Sequence, residues 1–511
     1  MSTPTVPRTS GILLHPTSLP GPFGVGDLGP VAYRWVETLA AMKQSWWQIL
    51  PLGPTGAGDS PYQSFSAFAG AIKLLSPEVL RDEGLVEPSF WAGKHFPDHE
   101  VDFGLVNPFK TALLHEAWAN FKAGKGAHLK AAFAEYATAE AAWLNDFALY
   151  TAIRDALGGL SLPDWPKELL HRKPAALAAA AKENADAVQM HKFGQFLFDR
   201  QWSQLRAFAA ERGIKIIGDA PIFVAGDSAD VWANAGEFLL DAELNPTVVA
   251  GVPPDYFAAD GQHWGNPLYD WDRMEKSEYA WWTARIVRQL KQVDLIRLDH
   301  FRGFAQAWHI PAAEKTARKG KWVDGPGMKL FTKLRSVLKG LPLIAEDLGL
   351  ITPDVVALRD DLGLPGMRVL QFALNGPHDL HWPHNYVPNS ACYTGTHDNE
   401  TVNGWFGSLN EDNKRYLGLT LGHYIGDPAW ELIRLAWASV SALAVAPLQD
   451  VLSLGNDARM NKPGVAEGNW RWRFRVDQFR PDVIDRLRDL TALYNRIPSA
   501  VPKETGPETA G

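Results

Sequence analysis

At 511 residues the chain is long enough for about three average domains or for one (β/α)8 barrel carrying insertions, and a content of 46% hydrophobic and 21% charged residues excludes intrinsic disorder over most of it. Its 50 basic against 58 acidic side chains, a formal net charge of −8, oppose any general attraction to nucleic acid or anionic lipid. The one cysteine, Cys392, lies in an apolar run; it excludes an intramolecular disulfide or a Cys-rich metal site and fits a reducing cytoplasm.

The first ten residues, MSTPTVPRTS, carry no charged segment followed by a long apolar stretch, and no run approaches 18 apolar residues, so neither export nor a membrane span is expected. Short apolar runs bounded by Gly and Pro then recur with room for a helix between them, the pattern of parallel βα units. In chain order they are Gly11–His15, Trp46–Leu52, Ile214–Asp219, Leu295–Asp299, Leu343–Asp347, Met367–Phe372, Ala391–Thr396 and Leu443–Gln449. Helical patterns over Val31–Met42, Lys192–Arg212, Tyr279–Gln292, Lys329–Lys339 and Trp430–Leu443 fill gaps, with Pro30 at a first-turn position and Gly213 as a stop. Eight such units predict a single α/β (β/α)8 barrel over 1–511, without a separate C-terminal β-sandwich.

The spacing is uneven. About 160 residues separate the second and third runs, and the Ala-, Leu-, Glu- and Lys-rich composition there predicts an inserted, mainly helical subdomain over about 70–190. A second excursion, about 225–277, holds Gly251–Phe257 and Gly261–Pro267, so rich in turn formers that a binding loop without regular structure is expected. Residues 499–511 read as a mobile tail. The 21 Trp exceed ordinary usage about three-fold; most suit a large core, and the remainder suit sugar rings, which stack on flat aromatic faces.

Several motifs fail in context. Gly24–Gly29 matches G-x-G-x-x-G, but prolines separate it from the preceding strand and no ribose-binding acid follows. His378, His381 and His384 recur every third residue among prolines without a carboxylate cluster, and Arg318–Lys321 reads as a solvated loop. No cofactor and no metal are expected.

Charged residues at the carboxyl ends of apolar strands remain, on the barrel face that carries chemistry. Arg297 and Asp299 are two apart and point the same way, so the guanidinium is expected to keep Asp299 ionised. Glu346 and Asp347 are adjacent, and alternation alone does not choose between them. Asp219 ends the third run and Asp398, after His397, the seventh. Converging carboxylates with abundant aromatics fit glycosidic chemistry.

Ile296–Phe301, Ile344–Gly349 and Thr394–Asn399 resemble the signature regions of the α-amylase clan, specifically of its amylomaltase (4-α-glucanotransferase) family in the shorter bacterial form. The likeness continues through His15–Pro20, Ser60–Phe68, Gly218–Val224 and Gly251–Pro267. The resemblance implies transfer of an α-1,4-glucan segment to the 4-hydroxyl of glucose or another glucan by a retaining double displacement. It implies Asp299 as nucleophile, Glu346 rather than Asp347 as acid/base, and Asp398 as transition-state carboxylate. Arg297 and His397 would position these groups and the sugar, while Asp219, Tyr62, Ser60, Asp255, Trp264 and Asn266 would line subsites. Implied partners are α-1,4-glucans, malto-oligosaccharides and glucose; the oligomeric state stays open, a monomer included. A hydrolase on the same scaffold and a non-catalytic maltodextrin-binding protein are the alternatives. Glu346 is expected to have a raised pKa because Asp299 and Asp398 are nearby negative charges, and Gly251–Pro267 to form a lid over the acceptor side.

Overall fold

The computed structural model describes residues 7–254 and 259–497. Eight strands close a parallel barrel: β1 (Thr9–Leu13), β2 (Trp46–Gln48), β3 (Lys215–Pro221), β4 (Leu295–Asp299), β5 (Leu343–Ala345), β6 (Gly366–Val369), β7 (Ser390–Tyr393) and β8 (Leu443–Pro447). Each pairs with its sequence neighbour, and β8 returns to β1 with Thr9 opposite Leu443. Side-chain alternation divides the core in two. Leu13, Trp46, Ile217, Leu295, Ile344, Met367 and Val445 fill the interior, whereas Ile12, Trp47, Ile216, Ile296, Leu343 and Ala444 pack against the outer helices.

Those helices form where apolar periodicity and terminal residues allow. Pro30–Ala41 begins on a proline, for which the missing N–H is no loss, and Ala185–Glu211 ends before Gly213, whose φ of 73° suits a glycine. Between β2 and β3 the helices Phe103–Lys122, Lys130–Ala139, Ala141–Ala156 and Pro174–Glu183 precede Ala185–Glu211. They hold the loop that follows β2 from behind. Gln195 accepts from the Gly70 N–H at 2.7 Å and donates to its carbonyl at 2.9 Å; from beyond β3, Asp230 in the short helix Ala229–Ala233 accepts from the Ala67 N–H at 2.7 Å.

Between β3 and β5 the chain adds a four-stranded antiparallel sheet in the order Gln262–Pro267, Val248–Val252, Gln306–Pro311, Lys321–Asp324. Turn chemistry alone argues against regular structure over Gly251–Pro267, yet both its flanks are strands. The glycines serve close pairing: a Cβ on Gly251 would lie 2.2 Å from the Gln262 carbonyl oxygen. Gly26 of the G-x-G-x-x-G run has the same role, since its Cβ would meet the Pro16 carbonyl oxygen at 2.0 Å. Asp255 and the segment 499–511 lie outside the described residues. Among the described residues, no helix is long and apolar enough to cross a membrane.

Trp47, Trp202, Trp232, Trp282, Trp382 and Trp437 are fully buried, and Cys392 is buried in the outer core layer.

Candidate active site

The strand ends converge at one mouth by parity. Leu295 faces the barrel interior, so Arg297 and Asp299 follow it; Ile217 does the same for Asp219. The β3–β4 register sets Asp219 beside Arg297 and Pro221 beside Asp299. One guanidinium nitrogen of Arg297 donates to both Asp219 oxygens, at 2.9 and 2.7 Å, while the other lies 2.9 Å from Asp299 Oδ1. Burial works against the Arg297 charge, but Asp219 and Asp299 raise its pKa well above the usual value.

Removing Asp219 from so enclosed a cluster leaves Arg297 with Asp299 alone and takes the 2.9 Å acceptor from the Tyr62 hydroxyl. Asp219→Leu is therefore expected to destabilise the fold by about 3–5 kcal/mol, measured as a lowered midpoint of denaturant unfolding; a loss under about 1 kcal/mol would refute the clamp.

Parity also separates the adjacent acids. Ile344 is interior and Ala345 exterior, so Glu346 turns to the mouth and Asp347 away from it. Asp347 pairs with Arg359 and accepts from the Met367 N–H at 2.6 Å. Glu346, 9% exposed, accepts from the His300 N–H at 2.6 Å and the Leu348 N–H at 2.9 Å. Burial pushes its carboxyl up to about 7; Arg297 and the two N–H groups resist, and Asp299 adds to the rise. Burial, rather than the neighbouring carboxylates, is thus the largest cause. Asp299 lies recessed with 29% of its side chain open to the mouth. Its carboxyl is raised by burial to about 6 despite Arg297; the guanidinium limits this rise and does not abolish it.

Asp398 is the most open of the three carboxylates, its side chain 44% exposed. Asn461 donates to its Oδ1 at 2.6 Å, Arg459 donates to its carbonyl at 2.6 Å, and His397 Nε2 lies 3.4 Å from Oδ1. The turn that carries it is pinned from below, where Asp450 accepts from the Thr394 hydroxyl at 2.6 Å and the Val402 N–H at 2.8 Å. Tyr62 donates to Asp219 Oδ2 at 2.9 Å and stacks on His397 with centroids 4.9 Å apart; Trp470 packs against both rings. Burial, reinforced by Asp219, raises the Tyr62 pKa well above its ordinary value and keeps it a neutral donor.

The structure thus brings together Asp219, Arg297, Asp299, Glu346, His397, Asp398 and Tyr62. Ser60 stands one step back, accepting from the Tyr62 N–H at 3.2 Å. Asn266 is buried and donates to the Val224 carbonyl at 2.9 Å, tying the accessory sheet to the β3 loop. Trp264 sets its ring edge-to-face on His300, centroids 4.7 Å apart. Sequence reasoning missed Asn461, Trp470 and Asp450; the one signal of the first two is a turn-rich stretch, Asn461–Trp470, beyond the last barrel strand, where loops at the catalytic face belong, whereas Asp450 directly follows the eighth apolar run. His381 accepts from the Val369 N–H and His384 bonds the Pro377 carbonyl, and among the described residues no group of three or more His, Cys, Asp or Glu is placed to hold a metal ion.

The family profile described as 4-alpha-glucanotransferase matches residues 14–478. The chain belongs to the 4-alpha-glucanotransferase family. A 4-alpha-glucanotransferase of Thermus thermophilus is 48% identical over 502 residues, covering 96% of this chain and all of the relative. One from Synechocystis is 46% identical, covering 96% and 98%. The structure of an amylomaltase from Streptococcus agalactiae in complex with acarbose superimposes with a TM-score of 0.93 at 37% identity, covering 96% of this chain and 99% of that one. The family lies within the α-amylase clan, in keeping with the (β/α)8 barrel.

Proposed function

We propose that the mouth performs a retaining double displacement on α-1,4-glucans, moving a segment of a malto-oligosaccharide to the 4-hydroxyl of glucose or another glucan. The observation that carries the roles is the pairing of Asp299, held by Arg297, with a deeply buried Glu346 whose carboxyl is raised to about 7. In the first step an Asp299 oxygen bonds the anomeric carbon, the C1–O4 bond breaks, and the Glu346 proton passes to the departing O4. The neutralised Asp299 ester then removes one negative charge beside Glu346, which favours the carboxylate. In the second step an acceptor hydroxyl gives its proton to Glu346, its oxygen bonds C1, and Asp299 leaves. Asp398 opposes the positive charge that develops on the ring, and Tyr62, with its stacked His397, offers a wall for the same sugar.

Incubation of pure maltotriose tests this reading. Glucose together with maltodextrins longer than the substrate is the expected product set; shortening alone would mean hydrolysis, and no turnover would mean binding only.

The active protonation state has Asp299 ionised and Glu346 protonated. With their carboxyls near 6 and 7, kcat/KM is expected to rise with pH through the lower value and fall through the upper, a bell whose limbs belong to the coupled pair. A flat profile from pH 5 to 9 would contradict it.

We further propose that the edge strand bearing Trp264 covers the acceptor side and excludes water from the intermediate. Trp264→Ala is expected to lower the ratio of transfer to hydrolysis several-fold. Chain redistribution and free reducing ends, measured on one maltotriose sample, check it; an unchanged ratio in a folded variant removes Trp264 from acceptor selection.

A further inference from the structure

His300 follows the nucleophile, yet its backbone and its ring face different partners. Its φ of 52° places it in the left-handed region, where histidine is tolerated better than most residues but still strained. That conformation aims its N–H at Glu346 Oε2, 2.6 Å away. Its ring meets the edge of Trp264, from the accessory sheet, and lies 6.3 Å from Phe223. Ring Nε2 is buried without a hydrogen-bond partner, so packing against Trp264 and Phe223 has to seat that side of the ring. Burial, with Arg302 nearby, lowers the imidazole pKa to about 3 and keeps it uncharged.

We propose that His300 is a positioning residue that couples the accessory sheet to the acid/base: Trp264 seats its ring, the seated ring holds the left-handed peptide, and that peptide's N–H sets the proton affinity of Glu346. The proposal rests on Glu346 being the acid/base. The charged groups facing Glu346 are Arg297 and Asp299, both on β4, and the Leu348 N–H is the second donor; Arg302 faces the His300 ring. An N–H donated to a carboxylate favours the ionised form, so it favours the base needed when an acceptor arrives. A sugar settling against Trp264 would reinforce the seat and deepen that preference.

Two readouts test this on the full chain: the alkaline limb of kcat/KM with maltotriose, and isotope-edited infrared titration of the Glu346 carboxyl. His300→Val, whose β-branched side chain resists positive φ, is expected to raise both by about one pH unit, as loss of a hydrogen bond to a charged group implies. His300→Asn tolerates the left-handed backbone and should stay within about 0.3 unit of wild type. Trp264→Ala should raise both by roughly half a unit and add nothing in the His300→Val background. An unmoved carboxyl titration in His300→Val, or additive shifts in the double variant, would overturn the coupling. Should His300→Val not fold, Trp264→Ala alone decides, and an unmoved titration there overturns it equally. Infrared reads the carboxyl itself, so failure of Glu346 as acid/base, seen as transfer surviving Glu346→Gln, is distinguishable from failure of the coupling.

Discussion

Asp299→Asn is expected to lower maltotriose disproportionation by about four orders of magnitude or more, because the amide cannot form the glycosyl ester and the remaining groups act only in concert with it. Arg297 would retain Asp219 at 2.7–2.9 Å, so the clamp survives with one partner fewer. The fold should persist, which makes the loss chemical. Mass spectrometry of enzyme trapped with a slow fluorinated glycosyl donor should find the adduct on Asp299 in the wild type and none in the variant. An adduct on another residue would overturn the assignment.

Glu346→Gln is expected to lower turnover of maltotriose about 10²–10⁴-fold, the usual range for a general acid–base group. A glycosyl fluoride donor, whose leaving group needs no proton, should recover the first step and leave the second slow. Equal losses with both donors would remove Glu346 from leaving-group protonation. The variant also has a stability signature of definite sign. The folded-state carboxyl is raised to about 7 from an ordinary 4.5, so between these values the native state holds a proton that the unfolded chain has released. Wild-type stability therefore falls as pH rises through that window, by an amount of order 1–3 kcal/mol. The amide of the variant cannot ionise and escapes the loss. Relative to wild type, the variant should be distinctly more stable at pH 8 and nearly matched at pH 4, with the difference read from denaturant midpoints at the two pH values.

Every barrel strand was legible because each is an apolar run between turn formers, and the charged residues at their ends stood out for the same reason. Glu346 and Asp347 could not be separated by alternation alone, since the phase of β5 depends on whether Ile344 or Ala345 faces inward, and only the closed barrel fixes that. The strands Val248–Val252 and Gln262–Pro267 escaped because their glycines and prolines look like turns, while pairing with Gln306–Pro311 supplies the order. Asn461 reaches Asp398 across 63 positions, a separation no local pattern spans. The raised carboxyls of Asp299 and Glu346 follow mainly from enclosure, a property of the folded mouth that charge spacing does not reveal.

The closure of β1 on β8 also has a consequence for how the protein is made. Thr9 finds its partner Leu443 only after more than four hundred further residues have left the ribosome, which at about 5–20 residues per second means tens of seconds. Throughout that interval β1 can pair with β2 but keeps one edge open, a template for unwanted strand pairing. The segment that steadies Asp398 and backs Tyr62 with Trp470 emerges later still, and the Phe474 N–H then bonds the Ser18 carbonyl to tie it down. A nascent chain therefore carries Asp299 and Glu346 well before it has a working mouth, and it gains the ability to act on glucan only once the segment through Phe474 has emerged.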